Sequence, residues 1–345
     1  MPAMVWAVTR MTSHRASAAI SLALVLLISP SLAVADEGGV GFWLPGQFGS
    51  MAATPQTPGL TLATIYYHTS LQAGGSVTAS REITIGRFTP TLTATLEGSL
   101  DADADLAMLV PSYVFSTPIL GGQAAVSVTG IYGRTSTLID ATLSGTLGPL
   151  AFSRSASFSD AVSGFGDLYP QYSLRWNAGV HNFMTYVTGD VPVGKYDSTR
   201  LANLGIGHGA VDGGAGYTYF NPQTGQEFSV VTGLTNNFEN TSTDYKNGVD
   251  LHVDWGASQF LGKQFHVGLV GYAYEQITDD SGAGAQLGAF RSRIFGIGPQ
   301  AGFLFPVGEL QGYLNLKGYK EFGAENRPEG WNAWLTFAIS PASKP

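Results

Sequence analysis

Val249-Asp250-Leu251-His252-Val253-Asp254-Trp255-Gly256-Ala257 alternates without a break: the odd positions are apolar, and Asp, His, Asp and Gly fill the even ones. Successive side chains of a β-strand point to opposite faces, so this stretch presents one apolar and one polar face. A helical turn of 3.6 residues would scatter the same side chains around its axis. The stretch therefore predicts a strand standing between an apolar and a wetter medium.

The same rule recurs on either side. Asp167, Tyr169, Gln171, Ser173, Arg175 and Asn177 share one face, and Leu168, Pro170, Tyr172, Leu174 and Trp176 the other. Phe265, Val267, Leu269, Gly271 and Ala273 form an apolar stripe, with Tyr272 and Tyr274 opposite the last of them. Near the end, Trp331, Ala333, Leu335, Phe337 and Ile339 face one way, and Asn332, Trp334, Thr336, Ala338 and Ser340 the other. A membrane barrel wall needs this pattern, apolar toward lipid and wetter toward the lumen.

Short connectors fall at 117–122, 177–180, 221–225, 261–263 and 306–310. Longer segments rich in Gly, Ser, Thr and Asp lie between them at 137–164, 191–204, 239–247 and 279–289. Alternating short and long connections are those of periplasmic turns and extracellular loops. Five hairpins, with one strand near 60–70 and another near 330–340, predict an all-β, closed antiparallel up-and-down transmembrane β-barrel of about twelve strands. Segment 71–102 has three readings: an outer loop, an extra hairpin that makes fourteen strands, or a piece folded into the lumen.

Composition agrees with lipid contact. Charged residues are 12 % of the chain, against ~25 % in soluble domains, while it holds 45 Gly, 19 Phe and 15 Tyr. No stretch after the N-terminal one approaches the ~18 apolar residues of a membrane helix. Residues 1–35 read as a signal peptide, with Arg10 and Arg15 ahead of an apolar run and Ala33-Val34-Ala35 at the cleavage site. Removing those two arginines takes the formal charge from −8 to about −10, and without a basic cluster to neutralise phosphates no nucleic-acid partner is expected. The chain has no cysteine, so neither disulfides nor thiolate metal sites hold the fold. The expected organisation is 1–35 signal peptide, 36–58 N-terminal segment, 59–340 barrel and 341–345 C-terminal tail, in the bacterial outer membrane.

The N-terminal segment carries Phe42-Trp43-Leu44-Pro45-Gly46-Gln47-Phe48-Gly49, too irregular for a membrane strand. Two placements stand side by side: a plug in the lumen built on Phe42, Trp43 and Phe48, or a periplasmic tail. Candidate lumen-lining residues are Asp167, Arg175, Asp250, His252, Asp254, Tyr272, Tyr274, Lys317 and Trp334. Asp250, His252 and Asp254 share a face, but residues two apart on a strand lie nearly 7 Å from one another, so the polar wall is preferred over a metal site. Asp101-Ala102-Asp103-Ala104-Asp105 lacks the turn glycine and closing glutamate of a calcium loop and reads as an acidic outer edge. Nucleophile-elbow, zinc-protease and phosphate-loop motifs are missing from the sequence, so neither catalysis nor a cofactor is expected.

Ile65-Tyr66-Tyr67-His68, Gly166-Asp167-Leu168-Tyr169-Pro170, Gly179-Val180-His181-Asn182, Tyr245-Lys246-Asn247-Gly248, Asp280-Ser281-Gly282-Ala283-Gly284-Ala285 and Glu325-Asn326-Arg327-Pro328-Glu329-Gly330-Trp331-Asn332, together with 42–49, resemble the exported bacterial proteins grouped under meta-pathway phenol degradation and often labelled transporters. The resemblance implies an outer-membrane barrel for passive uptake of small hydrophobic or aromatic compounds. The alternatives are a structural or adhesive barrel that transports nothing, and a lipid-modifying barrel enzyme. Expected partners are outer-membrane lipid and lipopolysaccharide, such solutes, and the barrel-assembly machinery; the sequence is silent on oligomeric state. The chain departs from many such barrels in ending after Phe337 with Ala338-Ile339-Ser340-Pro341-Ala342-Ser343-Lys344-Pro345 rather than on an aromatic residue.

Overall fold

The computed structural model describes residues 42–82, 89–285 and 291–342, apart from the side chains of Ala79 and Arg81. The signal peptide expected at 1–35, the first residues of the 36–58 segment and the end of the tail lie outside them. Twelve strands form one antiparallel sheet: β1 (Gly59–Glu82), β2 (Thr91–Val114), β3 (Gln123–Leu147), β4 (Leu150–Ala178), β5 (His181–Gly189), β6 (Ala210–Asn221), β7 (Gln226–Asn237), β8 (Val249–Leu261), β9 (Phe265–Gln276), β10 (Arg293–Val307), β11 (Leu310–Glu325) and β12 (Glu329–Pro341). Each strand pairs with its sequence neighbours, and β1 pairs with β12 from Leu62↔Ile339 to Gln72↔Glu329, which closes the barrel. Closure removes both sheet edges, the condition for a β-structure to sit in hydrocarbon.

The predicted faces decide what points where. In β8 Asp250, His252, Asp254, Gly256, Ser258 and Phe260 are buried, while the residues between them are half-buried or exposed. Outside, Leu269, Leu316, Leu335 and Phe337 are among the exposed large apolar side chains. An apolar belt on a closed twelve-stranded barrel is a lipid-facing surface, and this is a bacterial outer-membrane protein. Where the wall is crowded, glycine makes room: a Cβ on Gly271 would lie 2.5 Å from the Trp255 ring packed across it.

Two expectations need correction. Segment 137–164 is not a loop, because β3 and β4 run through it and meet at a two-residue turn, 148–149. The described residues of segment 71–102 form neither an extra hairpin nor a luminal piece, but the upper halves of β1 and β2, 71–82 and 91–102, where the sequence predicts a loop, an extra hairpin or a luminal piece. These four strands are 24 to 29 residues long, whereas ~9–11 cross a membrane, so their upper halves form a four-stranded arm beyond it. The level of exit is marked by an outward row of paired residues, Tyr66, Ala107, Tyr132 and Phe165. The next outward row is His68, Asp105, Arg134 and Ser163, and there Asp105 accepts hydrogen bonds from the Tyr66 hydroxyl (2.5 Å) and pairs with His68 Nδ1 (2.8 Å). Aromatic rings at the interface with charge just beyond are the usual membrane boundary.

Candidate functional site in the barrel lumen

The inward positions of β6–β12 carry polar side chains in rows, and the stretch from Phe42 to Thr54 lies against them inside the barrel. Its Gly46-Gln47-Phe48 turn is held from two sides. Asp254 accepts the Gly46 and Phe48 amides at 2.9 and 3.2 Å, and Lys317 Nζ donates to the carbonyls of Gly46, Gln47 and Phe48 at 2.6, 3.1 and 3.3 Å. The Tyr319 hydroxyl adds a bond to the Gly46 carbonyl at 3.2 Å. Buried charges need such partners, and here the partners are backbone groups of the N-terminal segment.

Gly46 has φ +86°, and a Cβ there would come within 2.8 Å of the Tyr319 ring. Both the left-handed turn and the close approach therefore require glycine. Gly256 of β8 has the reciprocal role, since a Cβ on it would stand 2.7 Å from the Ser50 amide. Further along, Ser50 Oγ meets Ser258 Oγ at 2.8 Å and accepts from Gln300 Nε2 at 2.5 Å. The Met51 amide donates to Glu227 Oε1 at 2.8 Å and the Ala53 amide to Thr218 Oγ1 at 3.0 Å.

Aromatic packing fixes the other end. The Trp43 ring stacks on His252 with centroids 3.4 Å apart and planes at 17°. His252 Nε2 in turn lies 2.8 Å from Asp212 Oδ2, which also accepts from Thr235. Phe48 packs on Tyr186 and Phe42 on Tyr169, at 5.5 and 5.6 Å. Beside Phe42, Trp43 and Leu44 a small cavity of about 50 Å³ remains against Met108, Ile131 and Tyr169.

The structure brings the predicted residues to the inner side but gives them different neighbours. Asp254, Lys317 and His252 touch the N-terminal segment. Trp334 lies under Lys317 Nζ, 5.2 Å from its ring, and donates from Nε1 to Asn332 at 3.1 Å. Tyr272 donates to Glu321 at 2.7 Å, and Tyr274 lies 5.1 Å from the Arg327 guanidinium. Asp250 accepts from Asn237 at 2.9 Å, and Arg175 donates to Ser173 at 2.7 Å near the periplasmic end. Asp167 serves the 190–209 connection between β5 and β6, accepting the Gly194 and Ile206 amides at 2.6 and 2.8 Å. Sequence reading passed over Glu227, Gln300, Tyr319 and Glu321. For Tyr319 and Glu321 the signal was present in the odd positions Asn315, Lys317, Tyr319 and Glu321, which share an inward face.

A family model described as "Putative MetA-pathway of phenol degradation" matches residues 72–337. Among solved structures, the COG4313 outer membrane channel from Pseudomonas putida F1 is similar with a TM-score of 0.54 and 15 % identity, covering 86 % of this chain and 100 % of that one. OccK10 (OpdN) of Pseudomonas aeruginosa aligns at a TM-score of 0.30 and 9 % identity over 83 % of this chain and 98 % of that one. Among curated protein sequences none matches.

Proposed function

Since the chain belongs to the phenol-degradation family that this model describes, we propose that it is a channel for passive entry of small hydrophobic or aromatic compounds, closed in this conformation by its N-terminal segment acting as a plug. The observation that carries the reading is the clamp on Gly46-Gln47-Phe48, in which one carboxylate and one ammonium of the wall are both satisfied by a non-strand segment. Once the segment withdraws, Asp254 and Lys317 face water across a lumen that also presents Tyr272, Tyr319 and Trp334 as ring surfaces for a solute. No step needs a cofactor or a bond-making residue. Lipopolysaccharide would meet the outward Ser, Thr and Asp positions of the arm, and assembly would follow the barrel-assembly route common to such proteins.

Deletion of 37–56 tests the reading. In planar bilayers the variant conducts continuously where the full chain is mostly shut, and vesicles containing it admit phenol-sized solutes faster. Equal conductance of the two would contradict the plug, and a deletion variant that neither conducts nor admits such solutes would contradict the channel.

A further inference from the structure

The arm raised by β1–β4 has its polarity reversed relative to the wall beneath it. Below the aromatic row, apolar side chains such as Leu62, Leu109 and Val128 point outward and are exposed to lipid. Above it the outward positions are mostly polar, with Ser76 and Thr78, Thr93 and Thr95, Thr142 and Ser144, Ser153 and Ser155, and Leu138 as an apolar exception. The inward positions become apolar, and the register joins them across strands as Val77, Leu96 and Leu143 in one row and Leu100, Ile139 and Phe158 in another. The first of these rows ends on β4 in a charge, because Leu143 pairs with Arg154.

This face is open: Val77, Leu96 and Phe158 are 71, 47 and 56 % exposed. Four strands ~4.8 Å apart and about ten residues long give a face of roughly 600 Å², at the upper end of the ~300–600 Å² that the largest, often functional, apolar patch of a monomer reaches. Membrane lipid does not fit it, because the Ser/Thr face is the one turned outward. Continuity indicates the occupant. The same inward positions lead down to buried Leu106, Met108, Ile131 and Val162, where Leu204 and Ile206 of the β5–β6 connection join them in one apolar cluster with Phe42. Along β2 the inward positions thus stay apolar from the arm to the N-terminal segment, with Thr135, Thr137 and the Asp160–Arg200 pair beside them on β3 and β4, while the facing wall carries most of the buried charged side chains.

We propose that the inner face of the arm is a docking surface for small uncharged aromatic solutes, which then move down the apolar inward strip of β2. The direction of movement rests on the channel reading; the binding does not. Full-length protein in lipid vesicles, photolabelled with 3-trifluoromethyl-3-phenyldiazirine and mapped by peptide mass spectrometry, tests it. Label is expected on 92–100 and 139–158, displaced saturably by naphthalene. It should fall about tenfold or more in the Leu96→Ser/Phe158→Ser double variant, and hold in Thr95→Ala/Ser155→Ala. A boiling-dependent gel shift identifies the folded barrels to be compared.

Arm label that naphthalene does not displace in the wild type, or that the inner-face substitutions leave unchanged, overturns the proposal. So does a dimer that those substitutions convert to monomers, since the face would then belong to a second copy. Ion conductance of the 37–56 deletion variant, folded in the same vesicles, separates the two readings. A silent deletion variant with saturable arm label in the wild type loses the channel and keeps the docking surface, and a conducting deletion variant without arm label in the wild type does the reverse.

Discussion

Asp254 and Lys317 are the residues on which closure turns, because each holds backbone atoms of a segment that the barrel does not need for its own hydrogen bonding. A charge-assisted bond contributes ~1.5–3 kcal/mol, so removing one shifts the balance between clamped and released segment by about tenfold or more. Asp254→Asn and Lys317→Met should therefore raise the open fraction in single-channel records by that order, with the barrel still folded. Gly46→Val should do so more strongly, since its side chain meets both a left-handed φ and the Tyr319 ring. Long closed times unchanged from wild type in all three would remove the clamp. At this scale the sequence was legible in half. A period of two in 249–257 told which side chains face inward, but nothing in it told that Asp254 would bind the amides of Gly46 and Phe48, some 200 residues away. Partners so distant follow from closure of the whole barrel, not from local pattern.

The β5–β6 connection, 190–209, is the element whose order depends on a few carboxylates. Asp160 receives Arg200 in a two-pronged pair at 3.0 and 2.5 Å and also accepts the Ala202 amide, while Asp167 holds Gly194 and Ile206. Asp190 opens the connection with both carboxyl oxygens lacking a hydrogen-bond partner among the described residues. Burial, reinforced by the nearby Asp167 charge, pushes its carboxyl up to about 8. The folded connection thus prefers Asp190 protonated. Its contribution is fully present below the ordinary carboxylate range near 4 and is lost as pH rises through about 8. The protection of 190–209 against hydrogen exchange, taken relative to the base-catalysed intrinsic rate, should fall between pH 6 and 9, and Asp190→Asn should flatten that fall; wild-type protection independent of pH would contradict it. Arg200→Gln should expose the same segment to protease at every pH in that range. The arm teaches why elements were misread. Its Ser, Thr and Gly content is that of loops, and its apolar parity inverts at the membrane boundary, so a search for outward apolar stripes stops at Tyr66, Tyr132 and Phe165. The Gly130/Tyr132 register shift between β3 and β4 hides the continuation further.

The molecule as a whole is a closed wall, and its strand number was legible because short connectors and long segments alternate five times between two terminal strands. What the chain does with its first residues was not legible, since Phe42–Gly49 has the composition of a tail as much as of a plug. Closure through β1 and β12 predicts that the folded protein resists SDS at room temperature and changes mobility only on boiling, whereas mobility independent of boiling would speak against a closed barrel. The central claim, that a closed channel opens when its N-terminal segment leaves the lumen, has a direct test because the chain has no cysteine. Ser50 and Ser258 place their Oγ atoms 2.8 Å apart, so a Ser50→Cys/Ser258→Cys variant can tie the segment to β8 reversibly. Recorded in a planar bilayer, the oxidised barrel should stay shut and the same barrel should begin to conduct on addition of reductant. Conductance that is identical before and after reduction would contradict the account.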